Sequence, residues 1–457
     1  MTSQGSSSKA QAHPRVSAER SEVVFEDFKP EYTPQQAKVE ANRCLYCSDA
    51  PCIKACPTEI DIPEFIRKIA TDNVEGSART IFKSNVLGMS CARVCPVEVL
   101  CVGACVYNAM GVPPIQIGRL QRYSTDTAYE TPSWKFFEAG KDTGKKVALI
   151  GAGPASLACA HRLRRFGHQV TILEKGGAPG GLNATGVAPY KLRADRAHAE
   201  VDWVMQIGGV EVKTGVDVPK TTTWEQLEKA YDAIFIGIGL GLDSWLDIPG
   251  KNLAGVRGAV DFIAELKAKH VSLDGVKHAV VVGGGNTAID VVRELLGLQT
   301  AGRSLLESVT MLYRGSESVM PGYEHEWSAA KDEGARTAWR TQPISFEGKA
   351  GPPGLAHVES IRCVKLDEKK RPIAGSEHVI PAELVILGIG QAKLGELVAG
   401  LDGVKVEVGC IVTDAHGATG RKGVYAGGDC RNGGKEVVNA VAEAKVAVKD
   451  ILRVLGG

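Results

Sequence analysis

Residues 145–175 read KKVALIGAGPASLACAHRLRRFGHQVTILEK, and this stretch decides the fold. An apolar run, VALI, leads into glycines; a helix-length segment follows, and a second apolar run closes it. The order is strand, glycine turn, helix, strand, the βαβ unit of a nucleotide-binding domain. Gly151 permits the tight turn, and Gly153 lets backbone N–H groups approach a pyrophosphate at the positive end of the helix. Ser156 stands at the third glycine position and is small enough for close helix–strand packing. Glu174, 23 residues after Gly151, ends the second strand, where a carboxylate accepts hydrogen bonds from ribose hydroxyls.

The same pattern recurs in HAVVVGGGNTAIDVVRELLG, residues 278–297, with the strand-like SVTMLYR after a longer connection. Gly283, Gly285 and Ala288 satisfy G-x-G-x-x-A, and Asn286 and Thr287 open the helix. Arg314 ends the next strand where the first unit has glutamate. A guanidinium there forks onto a 2′-phosphate, which favours NADPH over NADH; the competing reading is a surface ion pair. Further on, ELVILGIGQ and KGVYAGGDCRNGGKEVVNAVAEAKVAVKDIL give a buried strand, a Gly-Gly-Asp turn and a closing helix. This ending reads as a return to the first nucleotide domain, with the second inserted in it.

Two dinucleotide folds in one chain imply a bound flavin facing a nicotinamide. The first suits FAD, continued by Gly180, Gly181 and Leu182 and revisited by Gly427, Gly428 and Asp429. Asp429 is expected to accept a hydrogen bond from the ribityl chain, or only to cap the closing helix. That helix, starting near Lys435 to Val437, would aim its N-terminus at the flavin ring.

Of twelve cysteines, Cys44, Cys47, Cys52, Cys56, Cys91, Cys95, Cys101 and Cys105 fall within 62 residues. The first four have the spacing C-x2-C-x4-C-x3-C-P. Eight thiolates can hold two 4Fe-4S clusters or two zinc ions; the Cys56-Pro57 ending is ferredoxin-like, and a redox flavin domain follows, which favours clusters. The zinc alternative makes the chain an interaction protein that only senses NAD(P)H. Around the cysteines, Thr33 caps one helix, Asp61 with Pro63 opens another, and EGSARTIFKSN is amphipathic.

The expected class is α/β. A leader is read over 1–24 as disordered, a helical iron-sulfur domain over 25–140 and the FAD domain over 141–250 and 391–457, with the NAD(P) domain, 251–390, inserted. Fifty-four basic and 53 acidic side chains leave a net charge of +1, which gives no footprint for nucleic acid or an anionic membrane. The first 22 residues lack an apolar signal segment and no later stretch has the length of a membrane span, so a cytoplasmic protein with reduced thiols is expected.

Together CLYCSDAPCIKACPTEIDIPEFI, NVLGMSCARVCPVEVLCVGAC, IQIGRLQ, GAGPAS, GGLN and GGGNTAID resemble the NAD(P)H-oxidising half of dihydropyrimidine dehydrogenase, from about residue 38 onward. Less closely, the chain resembles the small subunit of bacterial glutamate synthase. The resemblance implies one cluster on Cys44, Cys47, Cys52 and Cys105 and another on Cys56, Cys95, Cys101 and Gln121. Cys91, which spacing alone would choose, is then a spare thiol. It implies FAD contacts at Gly151, Ala152, Gly153, Pro154, Ala155, Glu174, Leu182, Lys191, Gly428 and Asp429. Nicotinamide contacts are implied at Asn286, Thr287, Arg314 and the Gly388-Ile389-Gly390 turn, with no acid–base residue required. No stretch is left over for an FMN-binding barrel, so an FMN and iron-sulfur catalytic subunit is expected as a separate partner.

Overall fold

A computed structural model of the chain describes residues 16–349, 356–392, 394, 398 and 401–456. Its cysteine-rich part is helical, with main helices Pro34–Asn42, Ile62–Ala70, Val74–Ser84, Gly88–Val94 and Ile117–Glu130. Thr33 Oγ1 accepts the Gln36 N–H at 3.2 Å while Gln36 Oε1 accepts the Thr33 N–H at 2.9 Å, a reciprocal cap. Asp61 Oδ1 accepts the Glu64 N–H at 3.1 Å, so two helix starts follow from one polar residue each. Their apolar stripes meet in one core, where Phe65, Ile66 and Ile69 pack with Ile81, Phe82 and Leu120.

The first parallel sheet runs Val424–Ala426, Ala233–Ile236, Lys146–Ile150, Gln169–Glu174, Val210–Thr214. Val147 and Leu149 enter the core beneath helices Pro154–Arg165 and Val437–Leu455, whereas Ala148 and Ile150 enter the core on the other face. Burial on both faces is why the central strands Lys146–Ile150 and Ala233–Ile236 read as apolar runs, while the edge strand Val210–Thr214 is part-exposed and carries charges. A second parallel sheet runs Val256–Gly258, Leu384–Leu387, His278–Val282, Ser308–Tyr313, Arg336–Trp339. All its strands lie between Ala233–Ile236 and Val424–Ala426 in sequence, so the second fold is inserted within the first. A three-stranded antiparallel sheet, Thr341–Lys349, His357–Lys365 and His378–Pro381, fills the connection before Leu384.

Two expectations are corrected. The strand in ELVILGIGQ belongs to the second sheet, paired with both Val256–Gly258 and His278–Val282, and the return to the first sheet comes only at Val424. The leader's residues 20–24 form a docked strap; the part spanning 1–15 lies outside the described residues. Arg20 pairs with Asp195 at 2.9 Å, the Ser21 N–H donates to Lys269 O at 3.0 Å, and Glu22 accepts the Ala194 N–H at 3.0 Å. Phe25 sits in the core of the inserted domain, and the Phe28 N–H donates to Tyr190 O at 2.9 Å. The segment is polar, yet each buried charge finds a partner more than a hundred residues away.

Candidate functional site

Gly151 has φ +86°, and a Cβ there would lie 2.7 Å from Gly237 O, so the turn admits only glycine. The helix Pro154–Arg165 starts at Gly153 without a side-chain cap, which leaves its first N–H groups for a ligand. Above this turn lies a cavity of about 370 Å³, within the range of small-molecule sites. Gly151, Ala152, Gly153, Pro154, Ala155, Glu174, Gly181, Leu182, Lys191, Gly428, Asp429 and Val437 all line it, and Asn286 and Thr287 enter from the inserted domain.

The Glu174 carboxylate is held at the strand end by the Ala152 and Gly176 N–H groups, each at 2.6 Å. Asp429 is different: the one hydrogen bond to its carboxylate among the described residues is from the Lys435 N–H at 3.3 Å, and burial, with Glu443 nearby, pushes its carboxyl up. A half-buried carboxyl short of donors fits a sugar-alcohol hydroxyl. It does not cap the closing helix, whose N-cap is Glu436.

Sequence reasoning missed the groups that face Lys191. Its Nζ lies 2.8 Å from Asp290 Oδ1 and 2.7 Å from Glu326 Oε1, both from the inserted domain. Burial opposes the charge, but these two carboxylates outweigh it and hold the Lys191 ammonium above the usual lysine range. Tyr323 donates its N–H to Asn286 Oδ1 at 2.9 Å and its hydroxyl to Glu436 Oε1 at 2.8 Å. No local motif marks these residues; only the insertion brings them to the first domain.

Other predicted residues lie outside this cavity. Gly285 precedes the uncapped helix Asn286–Thr300. The Gly388 carbonyl sits 2.1 Å from where a Gly283 Cβ would be, so the Gly388-Ile389-Gly390 turn backs the second glycine fingerprint. Arg314 is exposed and has no ion pair among the described residues.

Two smaller cavities hold the cysteines. Cys44, Cys47, Cys52 and Cys105 line one, walled by Ile62, Ile66, Ile115 and Ile117. Cys56, Cys91, Cys95, Cys101 and Gln121 line the other, with Asn85 and Val438. Gln121 Nε2 donates to Gly88 O at 2.8 Å, which fixes the amide and leaves Oε1 as an acceptor. All twelve cysteines are free, and among the described residues no three His, Cys, Asp or Glu side chains converge on a point as a single ion requires. Burial pushes the Cys52 thiol up to about 11 and the Cys101 thiol higher still. Buried thiols ringing a space are a donor set whose thiolates need metal charge for stability, and they fit iron-sulfur clusters.

The three cavities share walls. Val94 and Pro96 line the large one, while Cys95 and Val97 line the Gln121 cavity; Ile62 borders both cysteine cavities. Leu45, at the far cavity, is 53% exposed. No helix among the described residues is long and apolar enough to cross a membrane.

Residues 20–133 match a family described as dihydropyrimidine dehydrogenase domain II, 4Fe-4S cluster, and residues 145–444 match the pyridine nucleotide-disulphide oxidoreductases. The chain is 34% identical to the glutamate synthase (NADPH) small chain of Halomonas elongata, over 95% of this chain and 93% of that one. It is also 34% identical to the NAD-dependent dihydropyrimidine dehydrogenase subunit PreT of Escherichia coli K12, over 95% and 98%. Among solved structures, Mycobacterium tuberculosis FprA in complex with NADPH covers 68% of this chain and 85% of its own, with TM-score 0.54 and 20% identity. Thioredoxin reductase of T. acidophilum covers 68% and 99%, with TM-score 0.52 and 18% identity; these two likenesses establish the fold. Of the two metals that spacing allows, the first match supports iron-sulfur clusters over zinc. Matched by both families in tandem and by relatives across nearly all its length, the chain belongs to the pyridine nucleotide-disulphide oxidoreductases, in the group that joins a 4Fe-4S domain to an FAD- and NAD(P)-binding fold.

Proposed function

We propose that the chain is the electron-input subunit of a hetero-oligomer, oxidising NAD(P)H and passing electrons to a separate FMN- and iron-sulfur-containing subunit that reduces uracil or thymine. The observation that carries this reading is the run of three adjoining cavities, from the glycine turn through the Gln121 cavity to exposed Leu45. FAD, when bound, supplies a two-electron hydride acceptor that can release electrons singly to 4Fe-4S clusters.

The residues divide the work by charge and shape. The N-terminus at Gly153 to Ala155 holds the FAD pyrophosphate, Glu174 the adenosine ribose and Asp429 a ribityl hydroxyl. Gly285, Asn286 and Thr287 hold the nicotinamide dinucleotide, and exposed Arg314 takes a 2′-phosphate, so NADPH is the preferred donor. Cys44, Cys47, Cys52 and Cys105 hold the outer cluster; Cys56, Cys95, Cys101 and Gln121 hold the inner one. Residues 25–140, 141–250 with 391–457, and 251–390 form the three working parts.

The purified chain is expected to contain FAD and iron and to reduce an artificial dye with NAD(P)H while leaving uracil untouched. Adding the catalytic subunit should restore uracil or thymine reduction; failure to reconstitute it overturns the pyrimidine assignment. A second reading is delivery to a glutamate-forming subunit, favoured by the 34% identity to a glutamate synthase small chain. Which large subunit copurifies from the native source, and which substrate it consumes, separates the two.

A further inference from the structure

Two lysines from distant parts of the chain reach the walls of the Gln121 cavity. Lys29 Nζ donates to the carbonyl of Cys95 at 2.7 Å, and Lys445 Nζ donates to the carbonyl of Thr58, two residues after Cys56, at 2.8 Å. The outer cysteines meet a cation of a different kind: Arg67 acts on Cys44 but is exposed, over the Tyr46 ring, where water screens it, and among the described residues no lysine or arginine donates to a carbonyl of Cys44, Cys47, Cys52 or Cys105.

Lys29 is fixed rather than mobile. Arg122, directly after Gln121 and 1% exposed, donates to the Lys29 carbonyl and pairs with Asp27 at 2.6 Å and Glu31 at 2.8 Å. Arg119 holds the next carbonyl, of Pro30, at 3.0 Å, and Phe28 is tied to Tyr190 on the other side. Lys445 is set by the closing helix, which packs on helix Gly88–Val94. Burial lowers both lysines from the usual range; Glu98, its side chain 40% exposed, and the thiols of Cys95 and Cys101 support the charge on Lys29 against Lys191, and Glu59 and Cys56 support that on Lys445 against Arg162.

Reduction of a 4Fe-4S cluster adds one electron and one negative charge, and that charge is stabilised by a nearby fixed cation in a site of low dielectric. We infer that Lys29 and Lys445 are positioning residues that raise the reduction potential of the inner cluster, making it the favoured acceptor of electrons leaving the flavin. The inference rests on the reading that Cys56, Cys95, Cys101 and Gln121 hold a cluster. It goes beyond that reading in assigning the two clusters unequal potentials and naming the groups responsible.

The experiment uses the full chain with its cofactors, in Lys29→Gln, Lys29→Arg and Lys445→Gln forms. Iron content is measured first, then the midpoint of each cluster by a poised titration followed by electron paramagnetic resonance. Glutamine keeps a donor and removes the charge. One of two midpoints should fall in Lys29→Gln, so that the oxidised-to-reduced ratio at fixed poise rises about tenfold, ~59 mV for one electron. The other midpoint should stay, and Lys29→Arg should match the unsubstituted protein. Two clusters with unmoved midpoints in both glutamine variants, or equal shifts of both clusters, overturn the inference. If Lys29→Gln fails to fold, Lys445→Gln carries the same comparison. Failure of the underlying reading has a separate signature: Gln121→Ala and Cys95→Ser would then leave iron content unchanged.

Discussion

Val437 and Val438, successive residues in the first turn of the closing helix, line different cavities: Val437 the FAD cavity, Val438 the cavity of Gln121 and Cys95. One turn of helix is thus the partition between the two cavities proposed for FAD and for the inner cluster. Filling one side should empty that side alone. Val438→Trp is expected to lower iron to roughly half while FAD stays, since each cluster carries four irons. Val437→Trp should lower FAD with iron unchanged. Flavin release and an iron assay on the same samples check both, and joint loss in either variant would contradict the partition.

The two glycines of the first turn should separate by measurement. Gly151→Ala places a Cβ 2.7 Å from Gly237 O at φ +86°, so the fold itself loses of order 1–3 kcal/mol and the Tm of the FAD-free protein drops. Gly153→Ala meets nothing nearer than 3.9 Å. It should leave that Tm nearly unchanged and weaken FAD binding, because the methyl group stands where the pyrophosphate approaches.

Arg314 makes no ion pair among the described residues, so its removal costs the fold little. Arg314→Ala is expected to lower kcat/KM for NADPH by about 10- to 100-fold, the loss of a hydrogen bond between charged groups, and to leave NADH within about twofold. Equal losses for both donors would remove Arg314 from phosphate recognition.

Gln121 and Cys91 both border the inner cavity, and the proposed ligand set takes Gln121 and leaves Cys91 spare. Gln121→Ala should reduce iron content and alter the spectrum of one cluster, and Cys91→Ser should do neither. The reverse outcome would hand the fourth position to the thiol.

How much of this was legible in the sequence depended on the range of the interaction. Both glycine fingerprints were, because backbone geometry within six residues dictates them. So were the cysteine positions, and the grouping of Cys44 with Cys105, which spacing does not give, came only from the family resemblance. Lys191 was singled out, but Asp290 and Glu326 were not, since nothing local distinguishes a carboxylate that meets a lysine 99 or 135 positions away. The strap at residues 20–31 was hidden for the same reason: its polar residues resemble a tail until Asp195, Ala194 and Arg122 are in place. The antiparallel sheet at residues 341–381 was not read from the sequence, because its strands are half exposed.

Glu200 joins the flavin domain to the iron-sulfur domain. It accepts the Met89 and Ser90 N–H groups at 3.1 and 3.0 Å, and burial pushes its carboxyl up to about 7. The folded chain therefore binds a proton there more tightly than the unfolded chain, whose glutamate has the ordinary value of about 4.3. Stability from this proton is present below the unfolded value and is lost as pH rises from about 4.3 towards 7, at up to ~1.4 kcal/mol per pH unit. Glu200→Gln should flatten the fall of Tm between pH 5 and pH 7.5. An unaltered slope would mean that other groups set it.

The wall of the inner cavity has a calendar. Its thiols and Gln121 leave the ribosome early, whereas Val438, which completes it, comes 317 residues after Gln121. At ordinary elongation rates that is an interval of roughly 16–60 s. Until Val438 has been made, the cavity that the thiols and Gln121 line lacks one of its walls. The iron-sulfur chamber is thus finished by the last helix of a different domain.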